Sequence, residues 1–176
     1  AGFAALPHFT GNAWQGSETW PDAGLGWVQL TAKGGHPGND RAHASVRRWT
    51  APAAMTITIQ SELKHEPAVG DGIRAFIVNS KSGALQSSKA FHQTLPLNVE
   101  SLPVMPGDTV DFVVEIGETL NSNQYLWTCT ISDAAAESPG SWNSDTDFPH
   151  DPNDQLSPLE QLAQVLLCSN EFLFVD

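Results

Sequence analysis

The stretch AMTITIQSEL (54–63) alternates without a break: Met55, Ile57 and Ile59 fall on one face, Thr56, Thr58 and Gln60 on the other. A period of two lines one side of an extended chain with apolar groups, and a helix cannot hold that pattern. Six further runs read as strands: GWVQLTA (26–32), ASVRRWTA (44–51), GIRAFIVNS (72–80), LPLNVESLPV (95–104), TVDFVVEI (109–116) and QYLWTCTI (124–131). Between several of them lie turn signals such as KGGHPGND, VGDG, NSKSG, PGD and GETLNSN. About seven short strands with this spacing predict a mainly β chain, an antiparallel β-sandwich of jelly-roll type, over 1–131. Residues 1–25, rich in Gly and Trp, read as irregular.

After 131 the composition changes. Residues 132–156 contain SDAAAESPGSWNSDTDFPHDPND, an acidic, Pro-containing segment read as a linker, with Trp142 and Phe148 as its means of touching the sandwich. Then SPLEQLAQVLLCSNEFLFVD (157–176) carries helix signals. Ser157 is the N-cap candidate, Pro158 takes the first helical position, and Glu160 stands at capping-box spacing. Leu159, Leu162, Ala163, Leu166 and Leu167 follow helical periodicity, and Asn170 is a stop signal. The sequence therefore predicts one C-terminal helix whose apolar face packs on the sandwich or on a second copy of the chain.

The chain has 176 residues and a formal net charge of −12. That charge argues against nucleic acid and anionic membranes as partners, because both are bound through a surplus of Lys and Arg. No apolar run reaches membrane-spanning length, and no signal peptide is read at the start. Lacking an initial Met, the chain reads as a processed protein or an excised fragment. Two cysteines, Cys129 and Cys168, make no disulfide framework; buried thiols are the simpler reading, and a single bridge from helix to sheet is the alternative. No CxxCH haem-attachment motif occurs.

The terminal phrase PLEQLAQVLLCSNEFLFVD resembles the C-terminal end of the domain of unknown function 1553 family of large planctomycete proteins. Upstream, GWVQLTAKGGHPG, RRWTAPA, GDGIRAFIV and PGDTVDFVVEIG are similar to a carbohydrate-binding-module-like sandwich that some members carry before that helix. The resemblance implies a C-terminal fragment of an exported, extracytoplasmic protein that also holds cytochrome-c-type and helical domains. The rest of that parent protein would be a partner through the terminal helix. Calcium binding is a further implication, since similar sugar-binding sandwiches hold calcium on carboxylates and carbonyls from distant loops.

Trp supplies the most suggestive chemistry, with six residues against one Tyr. Sugar rings lay their C–H faces on flat aromatic rings while amides and carboxylates hydrogen-bond the hydroxyls. NAWQGSETWPD places Trp14 and Trp20 beside Gln15 and Asp22, and these four with His36 are the candidate ligand-binding residues. The alternative is that both Trp cover one end of the sandwich. Trp27, Trp49 and Trp127 lie in predicted strands and read as core. His36, Asp40 and His43 share a Gly-rich loop in a spacing that matches no zinc or catalytic signature; Asp40 reads as a turn cap with Arg41 as its ion partner. Asp71 and Asp108 read as turn residues, and of the pair Arg47 and Arg48 one should point inward to a carboxylate.

GxSxG, HExxH, the P-loop and the dinucleotide-binding glycine fingerprint are all missing. The sequence thus predicts a non-catalytic binding module for carbohydrate. A structural or protein-interaction domain positioning the parent's redox and helical domains is the alternative. A polysaccharide-cleaving enzyme using Glu62, Glu66 or Glu115 stands third. Exposure of Trp14 or Trp20 beside polar side chains separates the first reading from the second.

Overall fold

In a computed structural model, which describes residues 3–134 and 140–147, the alternating run at 54–63 falls in the longest strand of the larger of two antiparallel sheets. The strands, in chain order, are β1 (His8–Phe9), β2 (Ala13–Gln15), β3 (Gln29–Thr31), β4 (Gly34–His36), β5 (Ser45–Thr50), β6 (Met55–His65), β7 (Ile73–Asn79), β8 (Gly83–Ala90), β9 (Gln93–Pro96), β10 (Val99–Val104), β11 (Thr109–Ile116), β12 (Tyr125–Asp133) and β13 (Ser141–Asn143). One sheet runs β1-β2-β3-β4-β12-β6-β10, with β13 paired to β12 and β9 to β6; the other runs β5-β11-β7-β8. Among the described residues the sole helical element is a 3-10 turn at Arg41–His43, and no helix is long and apolar enough to cross a membrane.

The core lies between the sheets and follows the period-two patterns. Ile57, Ile59 and Leu63 of β6 face Ile73, Ala75 and Ile77 of β7, while Tyr125, Trp127, Cys129 and Ile131 of β12 fill the same layer. Ile57, Ile59 and Leu63 are sealed from solvent, and each such side chain contributes roughly 1.5–3 kcal/mol relative to an exposed one. Trp127 stacks edge-on against Phe112, and its indole N–H donates to Ser61 Oγ. Cys129 is buried, which pushes its thiol pKa up; Cys168 lies outside the described residues.

Several expectations change. The 95–104 run divides into two strands along the same edge of β6, because Asn98 turns its side-chain oxygen onto the Ser61 N–H and Leu97 turns inward. Residues 1–25 are not wholly irregular: β1 and β2 extend the large sheet at its edge. The 132–156 segment begins later than read, since β12 runs to Asp133, and 141–143 return to pair with it. Trp142 there contacts Trp49 at 5.2 Å, so it anchors this stretch across the two sheets. The predicted helix at 157–176 lies outside the described residues.

Arg48 points outward and forms a two-pronged pair with the buried Asp111 carboxylate, at 2.7 and 2.9 Å. Inward-pointing Arg47 donates to the carbonyls of Trp127 and Thr31, tying β5 to the opposite sheet. The expected assignment is thus reversed: the carboxylate serves the outer guanidinium.

Gly34 and Gly35, read as a turn, form β4 between β3 and β12. A Cβ at Gly34 would sit 2.0 Å from the Tyr125 carbonyl oxygen, and one at Gly35 would sit 2.2 Å from that of Gln29. Both strands must approach too closely for any side chain. Gly34→Ala is therefore expected to destabilise the sandwich by roughly 1–3 kcal/mol or more, through forced backbone movement, read as a lowered midpoint in urea unfolding.

Candidate functional site

Three loops meet beside β4: residues 20–27, the His36 corner, and residues 117–124 leading into β12. They enclose an open cleft of about 480 Å³, lined by Trp20, Trp27, His36, Leu120, Asn121, Ser122 and Gln124. The volume falls within the range of small-molecule sites.

The first wall is aromatic. Backbone hydrogen bonds in both directions between Asp22 and Gly26 close a tight loop, which brings Trp20 against Trp27 with ring centroids 4.9 Å apart and planes at 87°. Trp20 Nε1 donates to the Trp27 carbonyl, fixing the corner. The two Trp residues remain 38% and 36% exposed, whereas Trp127 in the core is 3% exposed. His36 closes the corner, 5.9 Å from Trp27 and 6.4 Å from Trp20. Its Nδ1 contacts the Pro37 carbonyl, an oxygen that can only accept, so Nδ1 carries a proton and in the neutral ring Nε2 is an acceptor. Nε2 has no hydrogen-bond partner among the described residues and is open to solvent.

The second wall is polar and firmly held. Asn123 is fully buried, accepting from the Asn121 N–H and donating to the Gly72 carbonyl, each at 2.8 Å. Asp71 accepts from Glu118 N–H, Thr119 N–H and Thr119 Oγ. Desolvation raises the Asp71 carboxyl pKa, but these hydrogen bonds outweigh it and leave it below the ordinary value. Fully buried His65 donates from Nε2 to the Ser122 carbonyl and accepts the His92 N–H on Nδ1. Arg41 donates to the Gly117 carbonyl and pairs with Glu118. A loop held at so many points loses little freedom on binding a ligand. Its Gln124 side chain, exposed and without a partner among the described residues, has both an amide donor and an acceptor to offer.

Of the residues singled out from sequence, Trp20 and His36 are brought together here, and the other three are not. Gln15 is buried, and its amide is spent on the Ser17 carbonyl and the Gln29 side chain. Asp22 accepts from the backbone N–H groups of Leu25 and Gly24; the Leu25 bond does most to hold its carboxyl below the ordinary value. Trp14 packs on Phe9 at 5.0 Å and lines a separate apolar groove of about 630 Å³ with Phe3, Leu6, Leu25, Val28 and Leu30. Sequence reasoning placed Trp27 in the core, but it precedes β3 and turns outward. Asn121, Ser122 and Gln124 were missed, although GETLNSNQ showed a polar loop directly before a strand.

Nor does the His36, Asp40, His43 group assemble. Asp40 caps the 3-10 turn and bonds His43 Nδ1 at 2.8 Å, while Arg41 goes to Glu118 rather than to Asp40. Asp108 is a turn residue, as expected, accepting from Met105 N–H. Asp71 instead reaches across to another loop. Glu66 pairs with Lys64, and Glu115 pairs with Arg74 on the opposite sheet, so the three glutamates share no site. No group of three or more His, Cys, Asp or Glu side chains among the described residues is arranged to hold a metal ion.

Burial lowers the His36 pKa from 6.5, partly opposed by the hydrogen bond to Pro37. A depressed folded value means the unfolded chain binds more protons, so stability from neutral His36 is complete above pH 6.5 and declines as pH falls toward the folded value. Between pH 7 and 5, thermal scans should show the parent losing stability more steeply than His36→Gln.

The chain is thus an antiparallel β-sandwich with an aromatic, amide-flanked cleft formed by loops at the margin of its larger sheet. No protein-family model and no curated protein matches it. Among solved structures it is similar to a family 35 carbohydrate-binding module from an environmental isolate, at 17% identity and a TM-score of 0.37, over 76% of this chain and 94% of that one.

Proposed function

We propose that this protein is a non-catalytic carbohydrate-binding module that serves a larger exported protein. One observation carries the reading: Trp20 and Trp27 stay substantially exposed beside amide side chains on a loop held rigid from beneath. Exposed indole is costly in water unless a ligand covers it, and sugar C–H faces complement it while hydroxyls meet amides and imidazole. The lining supplies aromatic and neutral hydrogen-bonding groups rather than paired carboxylates, which suits binding over glycosidic cleavage.

Titration with a panel of soluble polysaccharides, followed by intrinsic Trp fluorescence with and without calcium, is expected to give a saturable shift. Calcium dependence would add a metal to the reading. Silence across the panel would overturn it in favour of a protein-interaction domain for the parent's other domains. The apolar groove around Trp14, Val28 and Leu30 favours that second reading.

A further inference from the structure

The shape and chemistry of the cleft narrow the ligand further, and this step rests on the carbohydrate-binding reading above. Trp20 and Trp27 stand at 87° to one another, so they form a corner and not a flat strip. A row of coplanar rings is needed to lie along an extended or crystalline chain. A corner can take the face of one ring against one indole while the other indole closes its edge. The third side is His36, tilted 40° from Trp27.

The polar groups are neutral, with no cation among them. His36, whose acceptor Nε2 is unpartnered among the described residues, lines the cleft beside the Gln124 amide, while Ser122 Oγ donates to Asn121 Oδ1 and so leaves the Asn121 amide N–H groups and the Ser122 lone pairs for a ligand. Lys and Arg are both missing from the lining, and the whole chain carries −12. A carboxylate brought into this corner would lose water, find no cation, and meet a lone pair. A neutral ring gives up hydroxyl protons to the same acceptor without that cost.

We propose that the Trp20–Trp27–His36 corner takes a single uncharged sugar ring at the end of a soluble glycan and rejects uronic acids, with His36 Nε2 accepting a ring hydroxyl as the selecting contact. His36 is then a specificity-determining residue, and the aromatic pair supplies the affinity.

The test is calorimetric titration of the full chain, in 0.15 M salt to screen long-range repulsion, with matched methyl glycosides and methyl uronides of glucose, galactose and mannose. Soluble oligosaccharides and an insoluble cellulose pull-down run alongside. One neutral glycoside is expected to bind at least about tenfold more tightly than its uronide, and to compete fully with its oligosaccharide. His36→Phe, which keeps a ring and removes the acceptor, should weaken the neutral glycoside roughly tenfold, the worth of about one hydrogen bond. His36→Gln, which retains an acceptor, should stay within about threefold of the parent. Near-UV circular dichroism of both variants checks that the Trp corner is intact.

Equal or tighter uronide binding, uptake on cellulose that soluble glycosides do not displace, or an unweakened His36→Phe would each overturn the inference while leaving a sugar-binding module standing. Binding of oligosaccharides without any competing monosaccharide glycoside would do the same. Absence of binding to every glycan would overturn both.

Discussion

Trp20→Ala and Trp27→Ala are each expected to weaken glycan binding by about thirtyfold or more, while Trp14→Ala leaves it unchanged. Truncating a Trp at the centre of a binding site costs about 2 kcal/mol or more. Trp20 and Trp27 are the exposed aromatic surfaces of the cleft, whereas Trp14 lies against Phe9 at the apolar groove. Trp20 also anchors its neighbour through the Nε1 bond to the Trp27 carbonyl, so its loss removes one wall and loosens another. Trp20→Phe separates these effects: it keeps an aromatic face, loses the N–H, and should fall between parent and alanine. Trp14→Ala should instead lower stability by about 2 kcal/mol, the cost of a partly filled apolar contact. Calorimetric affinities beside thermal midpoints read all four variants. Lost binding in Trp14→Ala with retained binding in Trp20→Ala would move the site to the groove.

His65→Ala should be the most destabilising single change outside the hydrophobic core proper. Its ring is fully buried at the end of β6, near Phe91, and both nitrogens are engaged. Removal leaves a cavity, an unpaired Ser122 carbonyl and an unpaired His92 N–H. Together these cost about 4 kcal/mol, or about 10 °C in the melting midpoint. His65→Phe keeps the volume and loses only the hydrogen bonds, so it should recover about half the loss. Because Ser122 lines the cleft, both variants are also expected to reduce glycan affinity several-fold although His65 touches no ligand. Hydrogen exchange at 119–124 reads the loosening directly. Unchanged exchange there, with stability lost, would confine His65 to a packing role.

Legibility followed burial. β6 was readable from its period-two alternation, β7 as an apolar run between turn signals, and β11 from β-branched residues that are buried on both faces. Ile57 and Ile59 are buried on the face where that alternation placed them, and Trp127 is in the core as its strand position implied. β8 was not readable: GALQSSKA is an edge strand largely exposed on both faces, so neither face demands apolar residues. β1, β2 and β13, at two or three residues each, are too short to show any period.

At the site, the sequence determined that loops rich in Trp and hydrogen-bonding side chains would flank a two-faced sheet, and it marked Trp20 and His36. Only the tertiary structure decided which loops meet. Gly34 and Gly35, turn residues by local chemistry, became a strand because the Tyr125 and Gln29 carbonyls press too close for a side chain. Trp27, apolar and next to a strand, became a cleft wall because the Asp22–Gly26 closure turns it onto Trp20. Gln15 and Asp22 became structural because nearer partners claimed their polar atoms. Residue type and period are local properties that a sequence states outright. Which polar atoms remain unpaired and which aromatic faces remain uncovered depends on partners as far away as Asp71, Gly72 and His65, and is settled only when the chain closes on itself.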